Sequence, residues 1–359
     1  MRPCATRAVF SGSAPPCKRM TERQDMAEEL GQLLASFRER FAYGTRDELA
    51  AISSSTQLQD STPLLELAKL AKLIRAQTTK VGILSQPARR EGNESTCGKE
   101  LRALEESLFY LLSLLPSFHK SGHYTSYLNK QLDEEILALL RSLEKFYDEI
   151  REKEENLVSV GKIWASCDEL LALAEQGNLG LLNERLSASA KLVQDTILEL
   201  HDWLAEPTLE EQDPFGLEDS FEETSDAEST ATNAENKAPS PQMIEYVQTL
   251  ERRVKLVKLL LKSFQKSVKV ENPHTKAAAD SLEKVYKVHH AVVEQIDELV
   301  SSVFMLGADF DPQDEDLLEG VKTLHSTMES MCKLVKKLNN NDPKKNAWVE
   351  SWEAQWNKL

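Results

Sequence analysis

From Asp25 onward, apolar residues return at every third or fourth position, and the spacing recurs in almost every segment that follows. Leu30, Leu33, Leu34, Phe37 and Phe41 begin the series, and Leu67, Leu70, Leu73 and Ile74 carry it on. Leu128, Leu132, Ile136, Leu139, Leu143, Phe146 and Ile150 extend it over more than six turns. Such spacing gathers the apolar side chains on one face of an α-helix and leaves the other face to water. Helices of this kind, joined by short turns, bury their apolar faces by packing antiparallel. The expected class is therefore all-α: antiparallel helical bundles, in two parts.

Caps and breakers set the expected limits. Gly44 is placed to end the first helix; Thr62 can cap a second, with Pro63 in its first turn. Residues 85–98, with Pro87, Gly92, Asn93 and Gly98, read as a loop, and the apolar helix Leu101–Leu115 is expected to stop at Pro116. A long helix follows Gly122. The apolar run Leu157–Ala174 ends at Gly177-Asn178, and residues 179–205 make a further helix. Beyond Pro241, helices are expected to Val270, to Leu306 and to Leu338, separated by Asn272-Pro273 and by the Gly307–Pro312 turn. A short last helix carries Trp348, Trp352 and Trp356. Whether the C-terminal helices form their own bundle is open at this level.

Charge divides the chain more sharply than its total suggests. Lys and Arg number 43 against 59 Asp and Glu, a net charge of −16. Residues 206–236 alone hold 11 acids and no base, while residues 237–359 hold 18 of each sign. The acidic stretch also has Pro207 and Pro214, Pro239 lies just beyond it, and few residues between could build a core, so 206–240 is expected to be a disordered linker. The domain reading is a disordered N-terminal tail (1–24), an N-terminal bundle (25–205), the linker (206–240) and a C-terminal helical region (241–359). In the tail, Arg2, Arg7, Lys18 and Arg19 without acids resemble a targeting peptide, but Pro15-Pro16 interrupt the helix such a peptide needs. No stretch of apolar residues is long enough to span a membrane. Five cysteines at scattered positions suit a reducing compartment rather than a disulfide framework.

No catalytic, cofactor or metal constellation emerges, and neither a cofactor nor a small-molecule substrate is expected. The sequence has no Gly-rich phosphate loop, nucleophile elbow or paired Glu-x-x-His motif. His119 and His123 have the spacing of two ligands on a helix, but Ser121-Gly122 lies between them. His289 and His290 are neighbours, pointing about 100° apart on a helix. Cys167 has no base nearby in sequence and reads as a buried thiol.

The features left are surfaces. Ser220 and Ser225 each precede an acid by three residues, and Ser240-Pro241 fits proline-directed kinases, which makes these three candidate phosphorylation sites. Thr62-Pro63 has the same pattern but reads as a cap. Phe215, Leu217 and Phe221 are apolar islands among the acids, suited to a short docking segment. Between Arg252 and Lys269 there are seven basic residues and no acid. Lys255, Lys258, Lys262, Lys266 and Lys269 form one stripe, opposite Val257, Leu260, Phe264 and Val268. The stripe reads as a solvated face, or as a contact for an acidic partner or for the chain's own linker, with phosphorylation tightening the linker contact. With no aromatic residue on it and an acidic chain around it, direct nucleic-acid binding is disfavoured. Trp348, Trp352 and Trp356 form an aromatic stripe that either docks on the bundle or faces a partner.

The order of these pieces resembles the cyclin-D-binding protein family, also called Grap- and cyclin-D-interacting proteins. Ile163-Trp164-Ala165-Ser166-Cys167 is similar to the family's Val-Trp-x-Ala-Cys segment, with Ala one place early. Asp213-Pro214-Phe215-Gly216-Leu217 resembles its Asp-Pro-aromatic entry into an acidic linker, and an all-helical half follows from Met243. The resemblance implies a non-enzymatic all-α protein of cytoplasm and nucleus. Its partners would be D-type cyclins or helix-loop-helix regulators, and its role the restraint of proliferation or transcription. Trp164 and Cys167 then read as core markers. The other architecture with these statistics is a cytoskeletal or trafficking adaptor of the vinculin or talin kind.

Overall fold

Eleven α-helices make up the computed structural model, which describes residues 16–53, 57–90, 92–209, 238–267, 275–339 and 342–359; no strand occurs among them. The chain divides into two units, Met1–Gly177 and Asn178–Leu359.

The first unit holds α1 (Pro16–Arg40), α2 (Arg46–Ala50), α3 (Pro63–Leu84), α4 (Pro87–Arg90), α5 (Glu94–His119), α6 (Ser126–Glu152) and the first part of α7 (Leu157–Ala205). Its centre is α5, where Leu101, Leu104, Leu108, Leu111 and Leu115 are buried. Each such side chain contributes about 1.5–3 kcal/mol on leaving water. Helix α3 lies against α5, and α1 against both α5 and α6. Thr62 caps α3 by accepting from the Leu65 amide at 3.3 Å, with Pro63 in the first turn, as its position in the sequence indicates. Gly82 lets α7 come close, since a Cβ there would meet Val160 Cγ2 at 2.9 Å.

Three local readings change. Helix α1 begins at Pro16, so residues 16–24 of the expected tail are helical; a proline in the first turn gives up an amide that has no helical partner anyway. Helix α5 runs through Pro116 to His119 instead of stopping at Leu115, and it starts at Glu94, inside the expected 85–98 loop. Placed this near the end, Pro116 costs a single backbone bond, and the extra turn buries Pro116 and Phe118. Helix α2 opens on a capping box between Thr45 and Glu48, a Thr-x-x-Glu signal present in the sequence.

The second unit holds the rest of α7 with α8 (Pro241–Ser267), α9 (Lys276–Leu306), α10 (Glu315–Leu338) and α11 (Pro343–Trp356). Within α7, Gly177 adopts φ 57° and ψ −162°, the break expected at Gly177-Asn178. Residues 178–205 run antiparallel to α8, with Lys258 donating to Gln194 and His201 lying 3.3 Å from Glu251. They run parallel to α9, where Arg185 donates to the Tyr286 hydroxyl at 3.1 Å and Trp203 meets Phe304 edge to face. The division of contacts thus falls at Gly177, whereas the sequence reading placed it at the acidic stretch. Residues 1–15 and 210–237, which include Ser220 and Ser225, lie outside the described residues.

Candidate protein-interaction surface

The two stripes singled out in the sequence meet in the second unit. Helix α11 lies antiparallel on α8: the Trp352 indole donates to the Leu256 carbonyl at 2.8 Å, and Lys345 Nζ donates to the Lys266 carbonyl at 2.9 Å. Trp352 and Trp356 stack at 5.4 Å and are buried, and Trp356 donates to His325 Nδ1 on α10. Trp348 is different. It lies one turn before Trp352, on the flank away from His325, and is 41% exposed. The tryptophan stripe is thus two core anchors and one surface residue.

On α8, Val254, Val257, Leu260, Leu261 and Phe264 are buried, as the amphipathic pattern requires. Of the lysines, Lys255 pairs with Glu251 at 2.7 Å and Lys258 is held by Gln194. Lys262 and Lys266 are exposed, and Lys269 lies outside the described residues. Leu259, also exposed, lies between the stripe and α11. Ser240 caps α8: its hydroxyl accepts from the Met243 amide at 3.1 Å.

Arg253 is one of the seven basic residues between Arg252 and Lys269 but not one of the stripe, and it points away from the lysines. It lines a cleft of about 340 Å³ with Tyr246, Thr249, Leu250, Pro312 and Leu359, and donates to the Leu359 carbonyl. Burial lowers its pKa from the ordinary arginine value. Its seven-residue spacing from Tyr246 was the available signal.

The residues weighed for chemistry are structural in their surroundings. His119 lies 2.9 Å from the buried Asp133 carboxylate, which Arg46 also approaches at 3.5 Å, so the three tie α2 and α5 to α6. His123 follows the end of α5, and the two histidines do not share a helix. His289 is buried, with Nδ1 3.1 Å from the Val285 carbonyl. Burial pushes the Cys167 and Cys332 thiols up to about 12. Thiols held neutral in this way are poor nucleophiles at physiological pH. Among the described residues no group of three potential ligands could hold a metal ion, and no helix is long and apolar enough to cross a membrane.

Two family models match in succession: Grap2 and cyclin-D-interacting, N-terminal, over residues 66–206, and its C-terminal counterpart over residues 218–333. The chain belongs to the Grap2 and cyclin-D-interacting family. The uncharacterized protein YLR287C of Saccharomyces cerevisiae is 31% identical, covering 94% of this chain and 98% of that protein. The uncharacterized protein C22E12.18 of Schizosaccharomyces pombe is 24% identical, over 86% of this chain and 89% of that protein. The segment that carries the resemblance in sequence lies against α3. Trp164 donates to Thr79 Oγ1 at 3.1 Å, the Arg75 guanidinium lies over its ring at 5.0 Å, and Arg75 reaches Asp168 at 3.2 Å. Cys167 and Ile163 are buried on the same helix. In this family member the N-terminal family segment extends past Gly177, taking in the helix that packs within the second unit.

Proposed function

We propose that this protein is a non-enzymatic interaction protein that regulates the cell cycle or transcription by binding a D-type cyclin or a helix-loop-helix regulator, in cytoplasm and nucleus. The observation that carries this reading is the match of both halves to a family described as cyclin-D-interacting. Phosphorylation of Ser220, Ser225 and Ser240 belongs to the same reading. At Ser240 a phosphate would sit where the first amides of α8 point, a placement that stabilises a helix.

The test is direct binding of the purified full chain to a purified D-type cyclin and to a purified helix-loop-helix dimer, by calorimetry. Saturable one-to-one heat with either supports the proposal. Absence of binding to both, with actin-linked or coat proteins recovered instead from cell extract, favours an adaptor of the vinculin or talin kind and overturns it.

A further inference from the structure

One face of the second unit is basic, partly apolar and left open by its own acids. Among the described residues neither Lys262 nor Lys266 has an ion-pair partner, and both are exposed. Lys255 lies two turns before Lys262 on the same face, 49% exposed beside its partner Glu251. Three large apolar side chains border these lysines. Leu259, 51% exposed, is on α8 itself. Leu198, 50% exposed, is one turn beyond Gln194, the residue that holds Lys258. Trp348 lies on α11 between Lys345, which is at the level of Lys266, and Trp352, which is at the level of Leu256. Trp348 is therefore level with Lys262.

We infer that this face receives the chain's own acidic segment, residues 206–236, its carboxylates against Lys255, Lys262 and Lys266 and its Phe215, Leu217 and Phe221 against Leu198, Leu259 and Trp348. Charge is the first argument. The segment holds 11 acids and no base, and α8 from Arg252 to Ser267 holds bases and no acid. Reach is the second. The segment leaves α7 at Ala205 and rejoins the chain at α8, and because these two helices are antiparallel both of its ends lie at the same end of the pair. Lys262 is 22 residues beyond Ser240, about 33 Å along a helix. The 17 residue steps from Glu223 to Ser240 span up to about 56 Å when extended. Tethering is the third: a segment fixed at both ends competes at an effective concentration of about a millimolar. An acidic partner would have to displace it. This is a property of the chain alone and holds or fails independently of which protein it binds.

Zero-length carbodiimide crosslinking of the full chain, followed by peptide mapping, tests it. The expected result is crosslinks within one molecule from carboxylates of residues 210–228 to Lys262 and Lys266. They should fall about tenfold in about 0.5 M salt, where charge attraction is screened. The same loss is expected in a Lys262→Glu, Lys266→Glu variant, whose circular dichroism should still be that of the folded chain because both side chains are exposed. Trp348→Ala should lower the yield severalfold with the lysines intact. Equal yields on the exposed Lys287, Lys322 and Lys333 would overturn the inference. So would crosslinks that join two chains instead of one, since the occupant would then be a second copy.

Discussion

The indole N–H of Trp356 donates to Nδ1 of His325 across 3.0 Å, with the two rings stacked at 6.1 Å. This contact, with the Trp352 donation to the Leu256 carbonyl, fixes α11 to both α10 and α8. Replacing either tryptophan with phenylalanine keeps most of the ring and removes the donor. Each change should cost about 0.5–1.5 kcal/mol. Trp348→Phe, at the exposed position, should stay within about 0.5 kcal/mol of the parent. Urea unfolding midpoints check this; equal losses at all three positions would contradict the difference in burial.

Gly177 has a backbone conformation that only glycine adopts readily, and Leu64 Cδ1 lies 3.4 Å from where a Cβ would be. Gly177→Ala should therefore destabilise by about 1–3 kcal/mol. Gly31, in α1 with open space around it, is the control: alanine there should stabilise by about 0.5–1 kcal/mol. If both variants shift the midpoint the same way, the kink at Gly177 is not a strained position.

His289 is buried beside Tyr286, His290 and Arg185, and burial lowers its pKa from 6.5. The folded state thus favours neutral imidazole. Its contribution to stability is present above pH 6.5 and is lost as pH falls through the lower folded value. Unfolding midpoints measured from about pH 8 down to about pH 5 should decline, and His289→Gln should flatten that part of the decline. An unchanged slope in the variant would assign the acid sensitivity elsewhere.

Arg40 on α1 grips the buried carboxylate of Glu105 on α5, with Nη2 to Oε1 at 2.6 Å. Burial raises the Glu105 pKa while Arg40 opposes the rise. Arg40→Leu removes the cation paired with the buried carboxylate, leaving Tyr147 and the more distant Arg102 as its partners, and should cost about 3–5 kcal/mol at neutral pH. Without the guanidinium the folded pKa of Glu105 rises further, so the variant's stability should drop as pH increases from about 4.5 towards neutrality. Adding Glu105→Gln should remove that dependence; if it persists, the pair is not its source.

Much of this structure was legible in the order of residues. The three-and-four spacing gives the helices, because burial of one face is a local pattern, and Thr62-Pro63 and Gly177-Asn178 mark real limits. Pro16 and Pro116, which as sequence signals interrupt or stop a helix, instead lie in terminal turns, where the missing amide costs little. What sequence could not give were relations across distance. Arg40 and Glu105 are 65 residues apart, and only the packed fold makes one the partner of the other. The lysine and tryptophan stripes were found separately. Their shared face follows from α11 lying on α8, and nothing in either stripe encodes that register.

Because residues 178–205 pack with α8 and α9, the acidic stretch is an interruption within the second unit, and the covalent link between units is α7 at Gly177. A single proteolytic cut anywhere in residues 210–237 would therefore yield two fragments that stay together as a nicked complex, held by Lys258 with Gln194, Arg185 with Tyr286 and Trp203 with Phe304. The same logic makes that stretch a natural place to split the gene into two coexpressed halves. A truncation that ends at the acidic stretch would strip the helix of its partners and expose Leu182, Leu186, Val193 and Leu200 to water.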